Sequence, residues 1–316
     1  MHLDCDVAVV GAGPAGSRTA RDLARDGLRV LLLEEHRRIG VPSHCSGMIS
    51  PRTLGLPRPA EYAYNLGIEG RLSPGASAQW RDDYVHVFVG HELAPGWFGW
   101  IIPTGETSGG ATHARLAGRQ VRVGIGTTGA VKPVVAYRRL AAAFPELFSR
   151  LEVSRMYGGT IPLTFAPRSF DDHALLVGDA AGQVKPFSGG GIYTSLVAAR
   201  HAAGTVRQAF ERDAFGAKSL ASYERGWKRE IGRELRRSWH LRHFGLAMSG
   251  AQIERVVRAL QSPGLRSLAD SHADIDYPSR VLLRLARSLP ALANLGAVTV
   301  RRPGAALNLV RAHLPV

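Results

Sequence analysis

Cysteine is nearly absent from this chain of 316 residues: Cys5 and Cys45 are the only two. So sparse a pair excludes a disulfide framework as the source of stability. Lysine is almost as scarce. Lys132, Lys185, Lys218 and Lys228 make up four of the 40 basic residues, and arginine supplies the rest. No apolar run approaches the roughly 20 residues that span a bilayer. The opening MHLDCDVAVV carries two acids and runs straight into a strand, unlike a signal peptide. A cytoplasmic location is therefore the expectation. The chain also lacks an internal repeat, a low-complexity linker and any nucleic-acid-binding motif, so no nucleic acid is expected as a partner. No metal site is expected.

What is present is the composition of a globular protein, with 45% apolar and 21% charged residues. The length suffices for one large composite domain or two smaller ones. The net charge of +14 suggests an anionic partner, a membrane surface or a phosphorylated ligand, unless it reflects codon bias toward arginine.

Residues 5–10 (CDVAVV) form a short β-branched run, which predicts a strand, with Cys5 as a packing residue. A glycine-rich turn follows, then a helical period over 15–26 that Gly27 ends. Residues 28–33 (LRVLLL) predict a second strand, parallel to the first through a right-handed crossover. From about 61 to 130 aromatic and β-branched residues alternate with polar ones, as in antiparallel hairpins. Residues 133–151 read as helical, 174–178 (ALLVG) as a buried strand leading to a helix through about 212, and 217–316 as helical and arginine-rich.

The turn reads Gly11-Ala12-Gly13-Pro14-Ala15-Gly16. It follows a strand, opens a helix, and is paired with an acid, Glu34, at the end of the next strand, which together make a dinucleotide fingerprint. Gly11 permits the tight turn, Gly13 lets the backbone approach a pyrophosphate, and Gly16 lets helix and strand pack closely. The helix N-terminus then offers free N–H groups to the phosphates, and Glu34 would accept from ribose hydroxyls.

A second motif separates FAD from NAD. Residues 178–192 read GDAAGQVKPFSGGGI. Asp179 can accept from a ribityl hydroxyl, and Gly189, Gly190 and Gly191 let the backbone come close to an isoalloxazine. The helix opening at Ile192 points its N-terminus at the ring.

GAGPAG with Glu34, HCSG around Cys45, and GDAAGQVKPFSGGGI together resemble the geranylgeranyl reductase family of flavoproteins, whose relatives share the fold of p-hydroxybenzoate hydroxylase. The resemblance covers residues 1–50 and about 55–215 well and the helical tail loosely. It implies FAD as cofactor, with an external reductant (NAD(P)H or ferredoxin) left open, and hydrogenation of isolated double bonds of prenyl chains on diphosphates or lipids. The flavin-binding positions it implies are Gly11, Gly13, Pro14, Ala15, Gly16, Glu34, Cys45, Ser46, Gly178, Asp179, Pro186, Gly189, Gly190, Gly191 and Ile192. Within WFGWIIP, the positions Phe98, Trp100, Ile102 and Pro103, with the later pair Gly124 and Gly126, match the segment lining the prenyl cavity. An insertion near TSGGATHARLAGRQ departs from the pattern. Two readings of these aromatics stand: a lining for an isoprenoid, whose buried methylenes contribute about 0.8 kcal/mol each, or ordinary sheet core. Cys45 likewise either has a chemical role, positioning substrate or donating a proton, or only packs.

The same comparison exposes a gap. Residues 50–60 pass from the CSG loop to sequence that normally lies much further on, and the strand ending in Gly-Ala-Asp-Gly is missing. The absent part would supply central strands of the nucleotide domain.

The expected class is α/β (α+β composite): a Rossmann-like FAD-binding domain, an antiparallel β-sheet substrate domain and a helical C-terminal region. The boundaries are 1–55 and 169–215 for the FAD-binding parts, 56–168 for a partial substrate sheet, and 216–316 for the helical region. The leading function is prenyl double-bond reduction. The alternatives are a flavin monooxygenase or halogenase of the same fold and a non-catalytic flavin- or lipid-binding remnant. Oligomeric state is not legible. Finally, 279–289 (SRVLLRLARSL) places Arg280, Arg284 and Arg287 on one helical face and Val281, Leu282, Leu285 and Leu289 on another. Such a helix either lies on an anionic membrane or packs on the protein body.

Overall fold

Strand β1 (Val7–Val10), helix α1 (Pro14–Arg25) and strand β2 (Val30–Leu33) form the predicted parallel unit in the computed structural model. The structure describes residues 4–37, 39, 59–73, 83–104, 119–129 and 131–288. Cys45 and Ser46 lie outside them. The chain divides into two units, one of residues 1–61 with 162–316 and one of residues 62–161.

In the first unit, β1 pairs with β2 from Val7 opposite Val30 to Val10 opposite Leu33. Val7, Val9, Val30 and Leu32 are half-buried, whereas Ala8, Val10, Leu31 and Leu33 on the other face are exposed. Among the described residues this sheet has two strands. Parallel sheets are ordinarily covered on both faces, so this exposed apolar face is unusual for such a unit. Cys5, just before β1, is a half-buried free thiol. Gly27, at φ +88°, ends α1 as expected.

Residues 174–178 depart from the expected buried strand. Only β9 (Ala174–Leu175) is extended and laddered, and it pairs antiparallel with β8 (Phe170–Asp171). A parallel strand here would need central neighbours for its hydrogen bonds, and those lie in the missing stretch. Helix α4 (Ile192–Glu211) follows. Then come α5 (Ala217–Trp227), a π-helical turn at Lys228–Gly232, α6 (Arg233–Leu246), α7 (Gly250–Leu260), α8 (Pro263–His272) and α9 (Pro278–Ser288). Val197, Ala198 and Ala202 of α4 bury against Tyr223, Trp227, Ile231 and Leu235.

Helix α9 packs on α6. Leu283 and Leu285 are buried, Leu283 against Leu241. The Glu234 carboxylate of α6 accepts from the Ser279 backbone N–H at 2.9 Å and from the Ser279 hydroxyl, which satisfies the first turn of α9. Arg280 stacks on Tyr277 at 4.1 Å, and Arg284 is exposed. Leu289 and the Arg287 side chain lie outside the described residues. No helix among the described residues is long and apolar enough to cross a membrane.

In the second unit, β3 (Tyr62–Leu72), β4 (His86–Val89), β5 (Phe98–Pro103), β6 (Arg119–Thr127) and β7 (Leu151–Pro162) form one sheet in the order β4-β5-β6-β3-β7. The helical reading of 133–151 is corrected. Helix α2 (Pro133–Ala143) stops before Pro145, α3 (Pro145–Phe148) is a single turn, and β7 begins at Leu151. Proline disfavours helical backbone in the residue before it, and Phe144 accordingly leaves the helix at ψ 60°. Ile68, Ile101, Val121, Val123 and Ile125 form the core with Ala136 and Leu140 of α2. All five lie on one face of the sheet by strand alternation.

Candidate functional site

The glycine turn folds as its sequence requires. Gly11 has φ +94°, and a Cβ on Gly16 would sit 1.9 Å from the Gly11 carbonyl oxygen. Pro14 occupies the first turn of α1, where a missing N–H is harmless. Gly13 caps α1 with extended backbone and without a side-chain hydrogen bond. The first N–H groups of α1 thus carry no side-chain cap, as an anion-binding helix end requires.

Glu34 does something the sequence did not predict. Its Oε2 accepts from the Ala12 backbone N–H at 2.7 Å, and its Oε1 accepts from the His36 backbone N–H at 3.1 Å. His36 Nδ1 also lies 2.6 Å from Oε1. The Ala12 hydrogen bond, followed by those of His36, lowers the carboxyl to about 2. Glu34 therefore ties the end of β2 to the glycine turn.

The second motif lies against the first. A Cβ on Gly178 would stand 2.8 Å from that of Ala15. Residues Gly178–Ala181 form a 3-10 turn ended by Gly182 at φ +69°. The turn is pinned by a buried network that sequence reasoning missed. The Gly178 N–H donates to Gln183 Oε1 at 2.7 Å, Gln183 Nε2 donates to the Tyr223 hydroxyl at 2.8 Å, and that hydroxyl donates to the Leu176 carbonyl at 2.7 Å. Gln183 stands inside the glycine motif, but its partner Tyr223 is 40 residues away. Burial pushes the Tyr223 phenol far up.

Asp179 is desolvated, which raises its carboxyl to about 6, and it has no hydrogen-bond partner among the described residues. A Cβ on Gly191 would lie 3.3 Å from its Oδ1. Helix α4 opens at Ile192, itself exposed, with Gly191 as a cap that makes no side-chain hydrogen bond. Gly189 has φ +73°. Lys185, unassigned from sequence, is 3% exposed, and its Nζ donates to the Ile275 carbonyl at 2.5 Å and to Asp276 Oδ1 at 3.1 Å. Tyr193 and Tyr277 bond through their hydroxyls at 3.0 Å, so the loop before α9 is fastened to this motif twice. Pro186 lines an apolar cavity of about 290 Å³ with Leu163, Phe165, Val184, Leu235 and Trp239. The buried Trp239 Nε1–H has no hydrogen-bond partner among the described residues.

These residues fit an FAD. Two uncapped helix N-termini suit anionic groups, and an unpartnered, desolvated carboxylate awaits a hydroxyl donor. Among the described residues no three His, Cys, Asp or Glu side chains converge as a metal site.

In the second unit, Phe98, Trp100 and Ile102 lie on the sheet face opposite the helix-packed core. Pro103 falls on the core-side alternation. The Trp100 ring covers Gly124, where a Cβ would be 2.0 Å from the indole, and the Trp97 ring covers Gly126 at 2.1 Å. Phe98 contacts both indoles, at 5.2 and 5.6 Å between centroids. The glycine pair is there because indoles lie flat on its backbone.

A family model for FAD-dependent oxidoreductases (DAO) matches residues 6–93. The fold and the paired motifs thus define an FAD-dependent oxidoreductase with a Rossmann-type nucleotide unit. The chain is 26% identical to a digeranylgeranylglycerophospholipid reductase of Methanothrix thermoacetophila over 395 residues, covering 90% of this chain and 97% of that protein. It superposes on a geranylgeranyl bacteriochlorophyll reductase-like protein of Thermoplasma acidophilum with TM-score 0.72 at 16% identity, over 93% of this chain and 99% of the other. The flavin-dependent brominase Bmp2 matches with TM-score 0.58 at 11% identity, over 83% and 91%, a likeness of fold alone. The chain is an FAD-dependent oxidoreductase, similar to these reductases in sequence and fold and shorter than they are.

Proposed function

We propose that the protein reduces isolated double bonds of prenyl chains carried on a diphosphate or a lipid. The observation that carries this reading is the aromatic face of the sheet. Phe98, Trp100 and Ile102 are kept out of the helix-packed core and offer an apolar surface that excludes water from a long chain. The relatives named for geranylgeranyl substrates support the same reading.

Gly13, Ala15 and Gly16 would hold the pyrophosphate through the N-terminus of α1, Asp179 the ribityl chain, and Gly189–Gly191 with Ile192 the isoalloxazine. Glu34 orders the turn and retains lone pairs for ribose hydroxyls. When bound, FAD supplies the two-electron centre between an external donor and the alkene. Cys45, next to Ser46 in the sequence, is the proposed residue that positions substrate or delivers a proton. An anionic membrane is the proposed place of encounter. Because α9 packs Leu283 and Leu285 inward, Arg280 and Arg284 would engage it electrostatically rather than by insertion.

The test is single turnover. FAD-loaded full chain, reduced with dithionite, should add two hydrogens to geranylgeranyl diphosphate, one double bond saturated per reduced FAD, read by mass spectrometry. No mass gain with reduced FAD bound overturns the reading. It would favour a second one, a flavin-binding remnant without activity, for which the open apolar face of β1 and β2 speaks.

A further inference from the structure

The aromatic sheet face is not apolar throughout. Its cross-strand registers run in rows. One row places Val87, Trp100, Gly124 and Gly67 side by side, with the Tyr157 ring lying over Gly67. The next row toward the far end of the sheet places Ile102, Arg122 and Glu69 together, and the row beyond has Arg71 opposite Gln120. Alternation along β7 brings Arg155 to the face of Tyr157. Burial raises the Tyr157 phenol, Glu69 adds to the rise, and Arg122 and Arg155 oppose it, so all three charges act on that ring. Arg122 and Arg155 are exposed and have no ion pair among the described residues.

We infer that Arg122 and Arg155 form a phosphate subsite at the far end of this face, and that they seat the phosphate-ester head of an amphiphile whose apolar tail lies over Trp100 and Phe98. This rests on the prenyl-substrate reading and adds a polarity to it. The juxtaposition of an apolar surface and two unpaired guanidinium groups matches a ligand with one long apolar arm and one anionic end. Arginine forks suit phosphate oxygens in two-point contacts. Glu69, between them, leaves the cluster net positive.

The test uses the FAD-loaded full chain and calorimetric titration with farnesyl diphosphate, farnesol and inorganic pyrophosphate. Farnesyl diphosphate should bind about tenfold or more tighter than farnesol, the range that charge-assisted hydrogen bonds provide. The variant Arg122→Gln/Arg155→Gln should erase that advantage and leave farnesol affinity unchanged, while Trp100→Ala should weaken both prenyl ligands. A double variant that keeps the advantage overturns the subsite and leaves the prenyl reading intact. Pyrophosphate binding as tightly as farnesyl diphosphate means that the tail adds nothing, and overturns the amphiphile assignment together with the prenyl reading. Failure of farnesol and farnesyl diphosphate alike to bind overturns both.

Discussion

Ala15 and Gly178, 163 positions apart in the chain, touch so closely that a Cβ on Gly178 would lie 2.8 Å from that of Ala15. This contact joins the pyrophosphate-type turn to the second glycine motif. Gly178 also holds φ +70°, a conformation that costs L side chains energy. Gly178→Ala should therefore destabilise the fold by about 1–3 kcal/mol and weaken FAD retention. Thermal melts and flavin fluorescence on the same sample check both effects.

Glu34 predicts an acid limit. Its carboxyl is lowered to about 2 from an ordinary value of 4.5, so it contributes stability above pH 4.5 that is lost as pH falls toward 2. Glu34→Gln should lose the charge-assisted hydrogen bond to Ala12, a cost of about 1.5–3 kcal/mol, and should flatten the melting temperature between pH 5 and 3. A variant with the same acid limb as the parent would show that the contact to Ala12 carries no stability.

Asp179 predicts the opposite sign. Its carboxyl is raised to about 6 by burial, so ionisation opposes folding. The penalty is absent below about pH 4, grows between 4 and 6, and is full above 6. Asp179→Asn should stabilise the FAD-free chain at neutral pH by at most roughly 3 kcal/mol, with no gain at pH 4, while lowering FAD affinity. Chemical denaturation of apoprotein at the two pH values separates these outcomes.

Lys185 predicts a coupling between the second motif and the loop before α9. In Lys185→Met the donors to Ile275 and Asp276 are gone, and Asp276, itself 34% exposed in its side chain, can rehydrate. The expected loss is about 1–2 kcal/mol, together with faster amide exchange at residues 274–279 and unchanged exchange in β3 and β6. Uniform acceleration across the chain would instead mean global destabilisation.

The open face of β1 and β2 predicts self-association. Leu31 is 45% and Leu33 43% exposed, at alternate positions on one face of β2. Leu31→Glu/Leu33→Lys should raise the soluble, monodisperse fraction in light scattering without shifting the melting temperature by more than a few degrees.

The sequence by itself determined what is local. Gly11, Gly16 and Gly27 sit where backbone sterics leave no alternative, α1 and α4 begin where glycine turns end, and the 62–72 and 119–127 alternation reads as sheet because side-chain direction has period two. Both flavin motifs were legible for that reason. The sequence stopped short wherever the deciding partner lay far along the chain. Alternation said that Phe98, Trp100 and Ile102 share a face, but only the packing of α2 on Ile101 and Val123 decided which face is core. Residues 133–151 carry a helical pattern, yet Pro145 broke it and β3 recruited Leu151–Pro162 as a strand, since an unpaired sheet edge gains a ladder of hydrogen bonds. The apolar run at 174–178 reads as buried strand, but without central neighbours only two residues pair. The bond of Glu34 to Ala12 and the ties of Lys185 drew no notice, because Ala12, Ile275 and Asp276 reach them only after the chain has folded back. Burial and hydrogen-bond partners are properties of the assembled layers, and no window of sequence contains them.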